Sequence, residues 1–421
     1  MFKFIHAADI HLDSPFLGLV RYEGAPVDRI TGATREALTQ LVQSAIHEKV
    51  SFVIIAGDLF DGDWKDYNTG LFFRRQMTLL QDAGIRVFLI SGNHDAASQI
   101  TKNLRMPGNI HTFSTRKPGT VMLPELNTAI HGQGFSRRDI TDNLAVHYPD
   151  ARKGFYNIGI LHTCAQGIEG HEPYAPCKVE ELSTKGYDYW ALGHIHKRRI
   201  LSESPWIVFP GNIQGRNIRE TGEKGCSLVT VEDDGKTSVR HDSLDIMRWV
   251  YLEIECSGAQ SIDDVLENVY ASVGHEVTKA DGRLLAIRLC LSGACKAHEG
   301  LLSHQERWNN EIRATVTEAS GGDAWIEKIL YHTRTHINID KLKASNSPIG
   351  HMMRYIDEIE SDTALLTELA QELETLKLKL PVELRQGERA LDLQSREKIA
   401  SLVHNARQLL IPRILALGED R

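Results

Sequence analysis

Phe52-Val53-Ile54-Ile55-Ala56-Gly57-Asp58-Leu59-Phe60-Asp61 is an apolar run that stops at a glycine and an aspartate. The run is short, uninterrupted and rich in β-branched residues, which marks a strand buried on both faces. Gly57 lets the chain turn sharply and leaves Asp58 at the strand end. The arrangement recurs along the chain. Phe2 to Ala7 leads into Asp9-Ile10-His11, and Arg86 to Ile90 into Gly92-Asn93-His94-Asp95. Asn157 to Leu161 leads into His162, and Tyr189 to Leu192 into Gly193-His194-Ile195-His196. Trp206 to Phe209 continues the series. Between these strands Leu38, Leu41, Val42, Ala45 and Ile46, then Phe72, Phe73, Met77 and Leu80, follow helical spacing. Strands alternating with helices predict an α/β fold. Open α/β sheets place their sites at the carboxyl ends of strands, so the five motifs are expected to converge at one rim.

Together the motifs offer enough oxygen and nitrogen donors for two divalent metal ions sharing one carboxylate. Residues i and i+2 of a strand point to the same side, so Asp9 and His11 can grip one ion together. Asp58 can bridge two ions about 3.5–4 Å apart. Asn93 offers a neutral amide oxygen, and His194 and His196 can each serve a different ion. Mixed Asp, Asn and His donors suit manganese, iron or zinc. His94 follows a ligand directly and is better placed beside the substrate, where it can stabilise phosphoryl charge or protonate the leaving oxygen. Asp61 and Asp95 are candidates to orient histidines. The attacking group would be a metal-bound hydroxide, and the reaction phosphate-ester hydrolysis.

Taken singly, these motifs are weak: Gly-Asp and Gly-Asn are common turn dipeptides. Asp9, His11, Asp58, Asn93, His94, His162, His194 and His196 carry the reading as a set. His6 and His131 are expected to be strand histidines without a chemical role, and His171-Glu172 a solvated loop. Arg137, Arg138, Arg198, Arg199, Arg216 and Arg219 suit phosphate contacts and solvated surface equally well.

The 421 residues exceed one simple core, and two or three domains are expected. A net charge of -8 gives no global sign of a nucleic-acid binder. The six cysteines are scattered without a Cys-x-x-Cys pair, which points to a reduced, cytoplasmic chain. No run approaches the roughly 18 apolar residues of a membrane span. Past Asp245 strands are expected at Trp249–Cys256, Arg283–Leu291 and Ala324–Tyr331, with helices at Ser261–Glu276 and His298–Ala319. From Ser347 the chain turns helical. Ile356, Ile359, Leu365, Leu366, Leu369, Leu373 and Leu376 form a stripe, Pro381 breaks it, and a last helix spans Leu393 to Leu417.

Motifs of these types in this order resemble the calcineurin-like metallophosphoesterase superfamily. Within it the chain is similar to the SbcD-type DNA repair nucleases, and above all to their YhaO-like branch. The resemblance rests on Ala7 to Phe16, Ala56 to Asp61, Ser91 to Asp95 and Gly186 to Lys197. It implies a four-layer αββα sandwich in residues 1–245. It also implies a small α/β capping domain that places DNA in 246–345, and a helical tail in 346–421 that engages an SbcC-like coiled-coil ATPase. One ion would be held by Asp9, His11, Asp58 and His196, the other by Asp58, Asn93, His162 and His194. His94 matches the family's catalytic histidine. Manganese as the metal, DNA as the substrate and a homodimer follow from the resemblance. Asp13 stands where the better-known SbcD proteins carry glycine, which points to the YhaO-like branch. Asp61 stands where archaeal and eukaryotic relatives carry histidine. The leading expectation is therefore a manganese-dependent DNA exonuclease and endonuclease. An RNA or small-molecule phosphodiesterase on the same fold, and a non-catalytic scaffold, are the other readings.

Overall fold

A computed structural model describes residues 1–14, 30, 32–61, 67–97, 105–165, 174–335, 339–379 and 395–419. Pro15 and Phe16 of the first motif segment, the His171-Glu172 pair, Pro381 and the expected helix start at Leu393 lie outside the described residues.

The first part of the chain runs β1 (Phe2–Ala7), α1 (Ala33–His47), β2 (Phe52–Ala56), α2 (Tyr67–Asp82), β3 (Arg86–Ile90), β4 (Ile110–Thr112), β5 (Gly119–Leu123), β6 (Thr128–Gly132) and β7 (Tyr156–His162). It continues through α3 (Val179–Ser183), β8 (Tyr189–Gly193), β9 (Arg199–Glu203), β10 (Trp206–Phe209), β11 (Gly225–Val231) and β12 (Thr237–Ser243). One sheet has the order β12-β11-β1-β2-β3-β4, parallel from β1 to β4. The other has the order β5-β6-β7-β8-β10-β9, parallel from β6 to β10.

β2 shows why its apolar run is unbroken. Side chains alternate between faces: Phe52, Ile54 and Ala56 join the core between the sheets, while Val53 and Ile55 face the helices. Phe4, Phe88, Ile130, Ile158, Tyr189 and Val208 complete the inter-sheet core. Phe4 and Phe52 stack with ring centres 5.0 Å apart, and Tyr189 meets Phe4 edge-on at 5.2 Å. Each such fully buried apolar side chain stabilises the fold by about 1.5–3 kcal/mol. Outside the first sheet, Leu38, Leu41 and Val42 of α1 and Phe73, Met77 and Leu80 of α2 form the cover. Outside the second sheet the cover is thinner. Leu161, Trp190, Ile207 and Phe209 pack on Leu182 of α3 and on Leu144, Tyr148 and Tyr187. The expected αββα sandwich is present; among the described residues one outer layer is a short helix and nearby turns.

Between β10 and β11 the backbone is irregular but tightly fastened. Asn212 N donates to His196 O at 3.3 Å, and Gly225 N to Asn212 O at 3.2 Å. Gln214 Oε1 accepts from the amides of Ile246 at 2.9 Å and Met247 at 3.3 Å. Trp249 Nε1 donates to Gly215 O at 3.1 Å, and Gly222 N to Trp249 O at 3.1 Å.

Beyond Asp245 come β13 (Met247–Glu255), α4 (Ile262–Ala280), β14 (Leu284–Cys295), α5 (His298–Ser303), α6 (Gln305–Ser320) and β15 (Ala324–Thr335). The strands form a sheet in the order β13-β14-β15. The single helix expected over 298–319 is two, because His304 leaves helical geometry at φ -132° and ψ 48°. The tail holds α7 (Ile339–Ala344), α8 (Pro348–Ser361), α9 (Thr363–Lys379) and α10 (Arg396–Glu419). Ser347 caps α8 by accepting from Gly350 N. Leu366 and Ile399 are buried together with Ile359, Leu369 and Leu373 around them, so this part of the leucine stripe is consumed by helix packing. The chain divides into two compact units: Met1–Leu252 with Gly274–Arg288 and Ser320–Lys328, and Glu253–Val273 with Leu289–Ala319 and Ile329–Arg421. No helix among the described residues is long and apolar enough to cross a membrane. All six cysteines are free and buried.

Candidate metal centre

The strand ends that carry the motifs do meet. Asp9 N donates to Gly57 O and His11 N to Asp58 O, each at 3.0 Å, so the loop after β1 is paired with the loop after β2. These loops are bent hard. Asp9 (φ 50°), His11 (φ 44°), Asp58 (φ 51°) and His194 (φ 102°) all take positive φ. Such conformations are uncommon outside glycine and cluster at functional sites. Two glycines make the approach possible. A Cβ on Gly57, itself at φ 92°, would overlap the His162 ring, and one on Gly193 would overlap the Ala56 carbonyl.

Asp58 stands at the centre, 1% exposed. Its Oδ1 accepts from His94 N at 2.9 Å. Its Oδ2 lies 3.4 Å from His162 Nε2 and 3.9 Å from His11 Nε2. One carboxylate oxygen thus faces a histidine on each side. His162 Nδ1 lies 3.0 Å from Ala56 O, which can only accept, so Nδ1 carries a proton and Nε2 is turned to the site. Burial lowers this ring's pKa, but the Asp58 charge more than offsets it and raises it to about 9. Its Nε2 lies 2.9 Å from Asn93 Oδ1, an acceptor. On the opposite side His196 Nδ1 lies 2.7 Å from Glu220 Oε1, which turns Nε2 to the site. It faces His11 Nε2 at 3.2 Å. Burial pushes the His11 imidazole down to about 3, so that ring is neutral. Its buried Nδ1 has no hydrogen-bond partner among the described residues and faces Asp61 Oδ1 at 3.7 Å.

Buried carboxylates crowded against imidazole nitrogens and an amide oxygen require a positive partner. A divalent cation supplies one, and the donor set fits that group. Three trios of donors each lie within 4.8 Å of one another: Asp9, His11 and His196; His11, Asp58 and His94; and Asp9, Asp58 and His162. The charges agree. Burial and then the Asp58 charge raise Asp9 above the usual carboxylate range, against the His196 and His162 charges. Burial opposes ionisation of Asp58 too, yet the charge and hydrogen bond of His162 hold it well below that range. A cation relieves the conflict between the two carboxylates.

His94 Nδ1 lies 2.9 Å from Asp61 Oδ1. Asp61 Oδ2 accepts from Ser14 Oγ at 2.6 Å and faces an Arg216 nitrogen at 3.7 Å. Burial lowers His94, but the Asp61 hydrogen bond and the Asp58 and Asp61 charges more than offset it, so its pKa is raised. Asp95 departs from expectation. It accepts from the backbone amides of Leu59 (3.1 Å), Phe60 (2.9 Å) and Gly92 (3.1 Å) and orients no histidine. It fastens the Asp58 loop to the Asn93 loop. His194 sits in none of the three trios. Its backbone N–H donates to both Asp9 oxygens, at 3.1 and 3.0 Å, and its ring meets His162 edge-on at 5.3 Å.

Glu220 is absent from the residues singled out in the sequence. No spacing rule links it to His196, 24 positions earlier. Arg216 lies beside it, while Arg137, Arg138, Arg199 and Arg219 are exposed. His6 and His131 are structural: His6 bonds Tyr189 Oη and Leu192 O, and His131 bonds Thr120 and Asn157.

Two stacked mixed sheets with carboxylate, imidazole and amide donors gathered at their strand ends define a metallophosphoesterase. Comparison with known proteins agrees. The calcineurin-like phosphoesterase profile matches residues 2–198, and the middle domain of metallophosphoesterase YhaO matches residues 249–334. The uncharacterized metallophosphoesterase YhaO of Bacillus subtilis (strain 168) is 32% identical over 346 residues, 80% of this chain and 84% of that one. The DNA double-strand break repair protein Mre11 of Sulfolobus acidocaldarius is 26% identical over 293 residues, 65% of this chain and 72% of that one. A subunit of the nuclease SbcCD from Escherichia coli (strain K12) is 23% identical over 279 residues, 57% of this chain and 67% of that one. The chain belongs to the calcineurin-like metallophosphoesterases, in the YhaO-like branch, and is a hydrolase of that class.

Proposed function

We propose that the protein is a manganese-dependent DNA nuclease of the cytoplasm, an exonuclease with endonuclease activity, that serves DNA repair. The observation that carries the reading is Asp58 Oδ2, facing His162 Nε2 at 3.4 Å and His11 Nε2 at 3.9 Å. That placement suits a carboxylate shared by two ions. Asp9, His11, Asp58 and His196 would hold one ion, and Asp58, Asn93, His162 and His194 the other. Divalent ions held there would supply a lowered pKa for the attacking water and positive charge for the phosphoryl group. The chain's own groups do the rest. Asp61 turns the His94 ring so that its Nε2 edge is left for the substrate, and the raised pKa favours the proton-bearing form. His94 then stabilises the phosphoryl charge or protonates the leaving oxygen. Asp95 holds the two loops in register.

The relatives described as a DNA double-strand break repair protein and as a nuclease support DNA as the substrate. Six unpaired buried cysteines are in keeping with a reducing compartment. Residues 246–345 would act as the DNA-placing cap. Residues 346–421 would engage an SbcC-like coiled-coil ATPase, and the active form would be a homodimer.

The test uses end-labelled duplex and single-stranded DNA, with and without Mn2+, beside Asp58→Ala. Metal-dependent shortening that the variant loses is the expected result. Intact DNA alongside continued hydrolysis of bis-p-nitrophenyl phosphate would keep the phosphoesterase and overturn DNA as the substrate.

A further inference from the structure

Glu220 is 9% exposed, and its carboxylate makes four hydrogen bonds, all within one corner of the site. Oε1 lies 2.7 Å from His196 Nδ1 and accepts from Arg216 at 3.2 Å. Oε2 accepts from Arg216 N and from Asn212 Nδ2, each at 2.8 Å. A carboxylate can only accept, and at 2.7 Å it lies nearer His196 Nδ1 than the Arg216 guanidinium nitrogen at 3.2 Å, so it favours the tautomer that bears its proton on Nδ1. The Arg216 guanidinium lies between this carboxylate and Asp61, 3.7 Å away, which in turn holds His94.

We infer that Glu220 is a positioning residue that fixes His196 as a metal ligand and, through Arg216, ties that ligand to the His94–Asp61 pair. The inference rests on the two-ion reading above. Among the described residues no carboxylate supports His162 in this way; its Nδ1 is held by a backbone carbonyl. The loss of Glu220 should therefore weaken one ion and spare the other.

Glu220→Gln tests this in the full chain. Glutamine keeps the shape, but its amide can donate as well as accept. It therefore permits the tautomer with a proton on Nε2, the atom that should meet the ion. Calorimetric titration of metal-free protein with Mn2+ is the primary readout. The expected result is two sites in the wild type, with one weakened about 10–100-fold in the variant and the other retained. Turnover of bis-p-nitrophenyl phosphate should fall at limiting Mn2+ and recover at high Mn2+, with the metal-free melting temperature close to wild type. A structural role would lower that melting temperature and would not be rescued by metal. If Glu220→Gln does not fold, Asn212→Ala, which removes one Oε2 partner, should give the same one-sided loss more weakly.

Equal weakening of both sites in the variant that folds, or wild-type binding at both, overturns the inference. A wild type that binds no Mn2+ overturns the two-ion reading and this inference together. Failure to cut DNA touches neither, because the readouts are Mn2+ binding and a small phosphodiester.

Discussion

The two sides of the metal centre are built from different materials. On one side His162 is aimed by the Ala56 carbonyl, a main-chain group of β2 at 3.0 Å. On the other His196 is aimed by the side chain of Glu220 on an irregular segment, at 2.7 Å. The first support is fixed as long as the sheet exists, because no substitution at Ala56 removes its carbonyl. The second is one mutation away from change. Sites that need donors held tightly place their supports on rigid elements. Here one side follows that rule through the backbone. The other reaches the same end with a carboxylate saturated by four donors.

Asp58 belongs to both sides, so its loss should have the largest effect. Asp58→Ala should abolish Mn2+ binding at both sites and bring phosphodiester hydrolysis to background; retention of one tight site would separate the two sides at their shared member. His94→Gln should act next. It touches neither support, and should lower turnover by about 10²–10⁴-fold with Mn2+ binding intact, the usual size of an acid–base contribution. A variant with full turnover would remove His94 from the chemistry.

Beneath the rim, His6 offers a graded test of the sheet that carries the main-chain support. Its Nε2 donates to Leu192 O at 3.1 Å, and its Nδ1 lies 2.9 Å from Tyr189 Oη. Burial lowers its pKa to about 3, although the Leu192 carbonyl pulls the other way. Its neutral form is therefore the folded form. That stability is fully present above about pH 6.5 and is lost as pH falls from there towards 3, by about 1.4 kcal/mol per unit. Urea unfolding of the wild type and His6→Gln between pH 7 and 5 should give a flatter slope for the variant. Parallel slopes would acquit His6.

The smallest effect is expected behind His11. Asp13 accepts from Arg35 Nε at 2.7 Å and from Thr69 Oγ at 2.6 Å, tying the loop after β1 to α1 and α2. Thr69→Val should cost about 1 kcal/mol of stability, one hydrogen bond's worth, and leave Mn2+ affinity unchanged on both sides. A fall in affinity confined to the His11 side would extend the side-chain support further than Glu220.

The strands that end in motifs were legible because burial on both faces demands an unbroken apolar run, as in Phe52 to Ala56. β12 was not: Thr237–Ser243 is an edge strand, half-exposed along its length, and its polar sequence matches a loop. The break at His304 was hidden for the same reason, since the helical spacing continues across it. Ligand-like residues could be found because His162 ends its strand and each of the others follows one by one to four positions. Glu220 follows no strand and reaches His196 only through the folded path of residues 210–224. Asp95 was misread because an aspartate in a tight turn can face a ring or a row of amides equally well, and the fold gives it three amides.

The segment between β10 and β11 has one more consequence. Irregular backbone at a sheet rim ordinarily trades its amide hydrogens with water quickly. Here the amides of Asn212, Gly222 and Gly225 are bonded to His196, Trp249 and Asn212, and Gln214 holds those of Ile246 and Met247. These hydrogens should be released together with those of β11, on the timescale of the sheet. By deuterium uptake, the stretch behaves as an extension of the core that happens to lack a regular shape.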